Sequence, residues 1–311
     1  MIEEVDVQIA TGALALLRSG RISVSALREI LATLSTQEPM ASSSEALDRL
    51  FDMTEVTRVA IAASFSYAVK TIQDGLTSGI VPIPFSSPRY PSLLRSIGDP
   101  PPLLYVRGNV AVVEKIGVAV VGTRKATGHG LTIATRIAKF FGDAGYPIVS
   151  GLALGIDAAA HEGALLSASP TVAVLAHGLE KASPRANAHL ADRILEAHGA
   201  WVSEHPLGTP AKPENFVHRN RIQVGLSCAS VIVEGQERSG SMTQAEFCIR
   251  NRRSLFAVLP VAGSQVSIQQ QLPRMLVQSR GATAIRSKDD YPAALEIVKR
   301  RAEELARESP T

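Results

Sequence analysis

Cysteine is almost missing from this chain: Cys228 and Cys248 are the two in 311 residues. They lie too far apart for a Cys-x-x-Cys metal pair, and two cysteines make no disulfide framework. An excess of charge is missing too. The formal net charge is +3, too small to argue for a nucleic-acid partner from total charge, so that claim must rest on local patches. No uninterrupted apolar run reaches the length of a membrane span. Glu3, Glu4 and Asp6 stand where a secretory leader would be basic and then apolar. These absences point to a cytoplasmic protein with no membrane contact. Repeats and low-complexity tracts are lacking, and no Gly-x-Ser-x-Gly elbow supports a hydrolase triad.

What is present is an ordinary folded composition, 45% hydrophobic and 20% charged, with room for one large domain and a smaller companion. The organising stretch runs from Gly117 to Gly163. Val118 to Val121 are small or β-branched apolar residues flanked by Gly117 and Gly122, which reads as a strand buried on both faces. A glycine-bearing turn follows through Gly128 and Gly130, then a helix with Ile133, Ile137, Phe140 and Phe141 on one face. Pro147 to Ser150 form a short strand feeding a second glycine turn, Gly151 to Gly155, and another helix begins at Ile156 or Asp157. Strand, turn and helix twice over is the unit of a parallel α/β sheet. Right-handed crossovers put both turns at the C-terminal edge, where unpaired helix N–H groups favour anions. A negatively charged ligand is expected there.

The common phosphate loops do not fit. Gly122 and Gly128 have five residues between them, and no Lys-Ser or Lys-Thr pair follows. The second strand ends Val149-Ser150-Gly151, without the acid that a dinucleotide ribose requires.

Around this stretch the chain divides into four expected parts. Residues 1–80 read as a small helical domain, with Gly20 as a stop and Ser23 as a cap. Residues 81–110 read as a proline-rich linker (Pro82, Pro84, Pro88, Pro91, Pro100 to Pro102) ending in an edge strand, Leu103 to Val106. Residues 111–290 form the α/β core, with further strands near Thr171, Ala200, Ser230 and Leu255, and residues 291–311 a closing helix and tail.

Hydroxyls, glycines and arginines recur at the ends of successive strands: Thr123-Arg124, Ser150-Gly151, His177-Gly178 and Ser239-Gly240-Ser241. In a parallel sheet these ends converge, which suits a phosphate or a phosphodiester backbone. Arg219 and Arg221 are two apart on a helix and cannot share a face, so one can reach a ligand while the other packs or pairs. Glu204 and Glu234 each sit just past a strand, placed to hold a ribose or orient the basic cluster. Asp157 and His161 are four apart and share a face. With no third ligand or activated nucleophile nearby, they read as structural: Asp157 capping its helix, His161 bonding to it or to a neighbouring loop. No catalytic residue, metal or cofactor is expected, and the chain reads as a binder and not an enzyme.

The motifs resemble the DNA-processing protein A family, also called Smf. They are Tyr90-Pro91 with Asp99-Pro100-Pro101; Val121-Gly122-Thr123-Arg124; Ser150-Gly151-Leu152-Ala153-x-Gly155-Ile156-Asp157-x-x-x-His161; Ser203-Glu204; Phe216-Val-His-Arg219-Asn220-Arg221; and Ser239-Gly240-Ser241-x-Thr243. The resemblance implies an extended Rossmann-like parallel sheet flanked by helices, with the helical N-terminal domain. It further implies single-stranded DNA binding, dimerisation, and handing incoming DNA to the RecA recombinase in natural transformation. Carried over, Arg124 is similar to a phosphate-gripping arginine, and Ser150, Gly151 and Gly240 to loop contacts. Phe216 and Arg219 to Arg221 resemble the rim of the DNA pocket, with Thr123, Ser239, Ser241 and Thr243 beside it. Gly122, Gly155, Asp157 and His161 shape the loops. Leu259-Pro260-Val261 departs from the family's usual Pro-Gly. A competing class is a nucleotide sensor or nucleotide-processing phosphoribohydrolase, whose Gly-Gly-x-Gly-Thr loop and glutamate Ser239 to Glu246 faintly resemble.

Overall fold

The computed structural model describes residues 3–36, 42–261 and 263–308. Helices α1 (Glu4–Ser19), α2 (Val24–Ser35), α3 (Ser43–Asp52) and α4 (Ala62–Thr77) come first. Gly20 ends α1 in the left-handed conformation (φ 67°), while the Ser23 and Ser42 hydroxyls cap α2 and α3 by accepting from the N–H groups of Ala26 and Glu45. Their apolar stripes, with Leu16, Leu27, Leu31 and Leu50, are buried in a cluster that continues into Leu104, Val106 and Trp201 of the sheet.

Nine strands make that sheet: β1 (Ile80–Pro84), β2 (Leu103–Gly108), β3 (Gly117–Val121), β4 (Ile148–Ser150), β5 (Thr171–Val174), β6 (Ala200–Ser203), β7 (Ser227–Ile232), β8 (Ser254–Val258) and β9 (Thr283–Ile285). Their order is β1-β2-β6-β5-β4-β3-β7-β8-β9. β2 pairs antiparallel with β1 and β6, and the other pairs are parallel. All five residues of β3 are buried, as its unbroken apolar run requires of a strand covered on both faces. Helices flank the sheet: the one-turn α6 (Val110–Val113), α7 (Gly128–Asp143), α8 (Ile156–Leu165), α9 (Ala188–Glu196), α12 (Gly240–Arg250), α13 (Gln271–Ser279) and α14 (Tyr291–Glu308). Gly163 lets α8 lie against α7, because a Cβ there would strike the carbonyl of Thr135.

The reading of residues 81–110 needs correction. Pro82 and Pro84 lie in β1, and β1 is the edge strand, where a missing N–H donor is tolerated. β2 is therefore interior and not the edge that was expected. The proline stretch also holds a one-turn helix, α5 (Ser92–Arg95). Tyr90 anchors it by donating to the carbonyl of Pro101 (2.8 Å), and Arg95 donates to the carbonyls of Phe85 and Ser87.

From β3 the chain builds β4, β5 and β6 to one side, then returns to lay β7 against the other side of β3. The direction of winding reverses between β3 and β7. Open α/β sheets form a crevice at that place, outside the C-terminal ends of the strands.

Candidate functional site

The two glycine loops do end at helix N-termini, but the anions seated there belong to the protein. At the start of α7, Thr127 donates from its N–H (3.0 Å) and its hydroxyl (2.6 Å) to the carboxylate of Glu234, which also accepts from Gln269 N–H (3.1 Å). Glu234 is fully buried just beyond β7. Gly130 has to be glycine because a Cβ would overlap this carboxylate. Gly130→Ala is therefore expected to destabilise the fold by about 1–3 kcal/mol, as overpacking does, with thermal denaturation as the check.

The second loop is closed by Asp157. The expected helix cap is not formed: Gly155 (φ 79°) is the N-cap of α8 and no side chain caps it. The Asp157 carboxylate turns back and accepts from the N–H of Gly151 (3.2 Å), and the backbone of Ala153 and Gly122 lies near enough to favour its charged form. It ties the two glycine loops together. His161 does not bond the loop either. Its Nδ1 meets Thr171 Oγ1 at 2.8 Å, and burial with the nearby Arg219 charge drives its pKa down to about 3. His161 is a neutral core residue.

The crevice between β3 and β7 is a cavity of about 500 Å³. Gly122, Thr123 and Arg124 line it from the loop after β3, and Ser239, Gly240 and Ser241 from the start of α12. Phe216 comes from α10 (Pro213–His218), and Asn220 and Gln223 from α11 (Asn220–Gly225). The Arg124 guanidinium carbon stands 5.2 Å from the centre of the Phe216 ring, a cation–π pair at the rim. No ion pair to Arg124 or Lys125 occurs among the described residues. At the start of α12, Ser239 does not cap; its hydroxyl donates to the carbonyl of Gln236 (2.7 Å). This helix start carries no side-chain cap, unlike that of α7.

Arg219, at the junction of α10 and α11, lines the cavity while only 4% exposed. Its guanidinium lies on Gly151, whose added Cβ would coincide with it, and Nη2 donates to the Gly151 carbonyl (3.0 Å). Asp157 is its nearest acid, at 3.8 Å. Nε and Nη1 have no partner among the described residues. Burial lowers its pKa to about 10 against the pull of Asp157, whose own carboxyl burial pushes up. Arg219 thus stays charged at neutral pH and under-paired, a cost that an incoming anion would relieve.

Arg221 goes elsewhere. Its Nη1 and Nη2 donate to the two Glu204 oxygens (2.7 Å each), and Nε donates to the carbonyl of Asp99 (2.9 Å) and its carboxylate (3.2 Å). Of the other expected site residues, Ser150 is buried beneath the floor, its hydroxyl donating to the carbonyl of Val120 (2.7 Å). Thr243 lies farther along α12, outside the lining. Gly155 and His161 shape the surroundings without lining the cavity. Sequence reasoning passed over Gln223 and Gln244, both buried in the lining and each with an unpartnered Oε1. Uncharged and without a spacing signature, they gave no signal.

A model of the DNA recombination-mediator protein A family matches residues 82–296, so it covers the sheet from β1 and every residue of this cavity. The chain belongs to that family. It is 37% identical over 218 residues to DNA processing protein DprA of Bacillus subtilis, spanning 68% of this chain and 70% of that one. It is 39% identical over 176 residues to protein Smf of Escherichia coli, spanning 57% of this chain and about half, 47%, of its relative. The fold matches DNA processing protein A of Streptococcus pneumoniae with a TM-score of 0.67 at 26% identity, over 94% of this chain and 98% of that one. The Helicobacter pylori protein, described by its single-stranded DNA binding mode, matches with a TM-score of 0.59 at 26% identity over 66% and 93%. The family's shared span thus contains β3, β7 and the loops that Asp157 and Glu234 hold in place. Among the described residues no helix is long and apolar enough to cross a membrane, and no cluster of three or more metal-type ligands occurs.

Proposed function

We propose that the protein binds single-stranded DNA in the β3–β7 cavity, protects the incoming strand and loads the RecA recombinase onto it during DNA uptake, as a cytoplasmic homodimer. The observation that carries the binding step is Arg219, a buried and under-paired guanidinium on the cavity floor. Arg124 at the rim and the uncapped start of α12 add two more groups that favour a phosphate. The Phe216 ring offers a face on which a base can stack. Membership of a recombination-mediator family and the Helicobacter relative's described binding mode support the choice of DNA. The recombinase and dimer steps rest on the family alone.

A strand can splay bases into such a cavity, whereas a duplex must first be opened, at about 1.4 kcal/mol for one base step. Single strands should therefore bind at least about tenfold more tightly than duplexes of equal length. If some three to five phosphates are neutralised, the log–log salt slope should be about −2 to −3.5. Arg124→Ala should reduce it by roughly one phosphate's share. Gel shifts over a salt series test both points. Equal binding of duplex, or a slope near zero, would remove the DNA reading. Release of free base from nucleoside monophosphates would replace it with the phosphoribohydrolase one.

A further inference from the structure

A second cavity, of about 340 Å³, lies at the far end of α12, roughly 16 Å of helix away from the first. Arg250, Arg252, Arg253 and Arg301 line it with Ser96 and Glu308. Arg253 is only 6% exposed. Its Nη2 donates to the carbonyl of Leu93 and to Ser96 Oγ, both at 3.0 Å, but its Nε has no partner among the described residues. No carboxylate pairs with it among the described residues. Arg301 Nη1 reaches Glu304 (2.8 Å) and Glu308 (3.8 Å), yet its Nε is also unpartnered. Among the described residues, four guanidinium charges thus meet two carboxylates, Glu304 being shared with Arg300, which leaves two uncompensated. The negative end of α12 favours Arg250, but it does not account for Arg253 and Arg301.

Arg252 adds a different sign. It follows α12 with φ 53°, and the N–H groups of Arg252 and Arg253 close back on the carbonyls of Ile249 (3.0 Å) and Cys248 (2.9 Å). That position ordinarily takes glycine, because a Cβ is disfavoured in the left-handed region. Here it is an arginine that faces the cavity.

We infer that this cavity is a second anion site, built for a terminal phosphate. Such a group carries nearly two negative charges at neutral pH and presents oxygens that match guanidinium forks. The surplus of two positive charges suits it better than a single carboxylate. Its source is either a free phosphate compound or the 5′-phosphate end of a DNA strand. The site does not depend on the DNA reading of the first cavity.

Isothermal titration with inorganic phosphate tests the site through the share of binding that substitutions at Arg252 and Arg250 remove, any phosphate held at Arg124 and Arg219 being the share they leave. Arg252→Gly should weaken phosphate binding roughly tenfold, the loss of one charge-assisted contact. It should also raise the thermal midpoint of the free protein, because glycine suits that backbone. Arg250→Gln should weaken phosphate with no such gain. Oligonucleotides with and without a 5′-phosphate separate the sources. A gain from the 5′-phosphate that Arg252→Gly abolishes assigns the DNA end, and no gain assigns the free compound. Phosphate binding that is absent from the wild type, or unchanged in both Arg252→Gly and Arg250→Gln, overturns the proposal.

Discussion

Glu204→Ala is expected to destabilise the protein by about 3–5 kcal/mol, the usual result of removing one partner of a buried ion pair. For a chain of this size that is a fall of roughly 10 °C in thermal midpoint. Arg221 is 3% exposed, and its two best hydrogen bonds are the 2.7 Å contacts to Glu204. Without them a guanidinium is left in the interior with Asp99, itself shared with Arg28 of α2, and a long contact to the His218 carbonyl (3.3 Å). The clamp joins α2, the proline segment and α11, so its loss should also loosen the wall that carries Asn220 and Gln223. Burial alone would raise the Glu204 pKa, but the bonds and charge of Arg221 outweigh it and the net shift is downward. A depressed carboxylate stabilises the fold above its unfolded value of 4.5, and that contribution is lost as pH falls through the native value. Glu204→Gln should therefore cost stability at pH 7 and flatten the acid limb below about 4.5. A double-mutant cycle with Arg221→Met completes the test. The double variant should melt above Glu204→Ala, and a single variant that melts with the wild type would show that the clamp holds nothing.

Much of this arrangement could be read from the chain, and the parts that could not share one physical origin. Val118 to Val121 announce a strand buried on both faces, and the glycine turns announce helix starts at one edge of a parallel sheet, because those features are local. The occupant of those helix starts is not local. Glu234 reaches Thr127 from far along the chain, and Asp157 folds back across two loops, where a cap by sequence position would serve only its own helix. Pro82 and Pro84 read as a linker because proline lacks a donor, yet an edge strand has no use for that donor on one side. Arg219 and Arg221 are the clearest case. Sequence distinguishes them only as facing different ways. Glu204 and Asp99 decide that Arg221 is the strut, and Gly151 decides that Arg219 is the floor.

That last relation gives the sharpest test of the cavity. Gly151→Ala should fold, since Gly151 has no left-handed backbone requirement and the nearest group in the way is the end of a side chain. That end is the Arg219 guanidinium, however, and it cannot remain over the loop. Displaced, it loses the Gly151 carbonyl and its approach to Asp157, and the floor loses its fixed positive charge. If the proposed DNA contact is right, single-stranded DNA should bind about 10- to 100-fold more weakly, the worth of a charge-assisted hydrogen bond of about 1.5–3 kcal/mol. Arg219→Ala should lose a similar factor in affinity but more stability, because it leaves the Asp157 carboxylate buried without its cation. Combined, the two substitutions should cost little more affinity than Arg219→Ala alone, since both act through one guanidinium. Affinities measured at fixed salt for the three variants decide it. Wild-type binding by a folded Gly151→Ala protein would show that Arg219 does not hold the strand, and the anion would have to be sought at Arg124 and the start of α12.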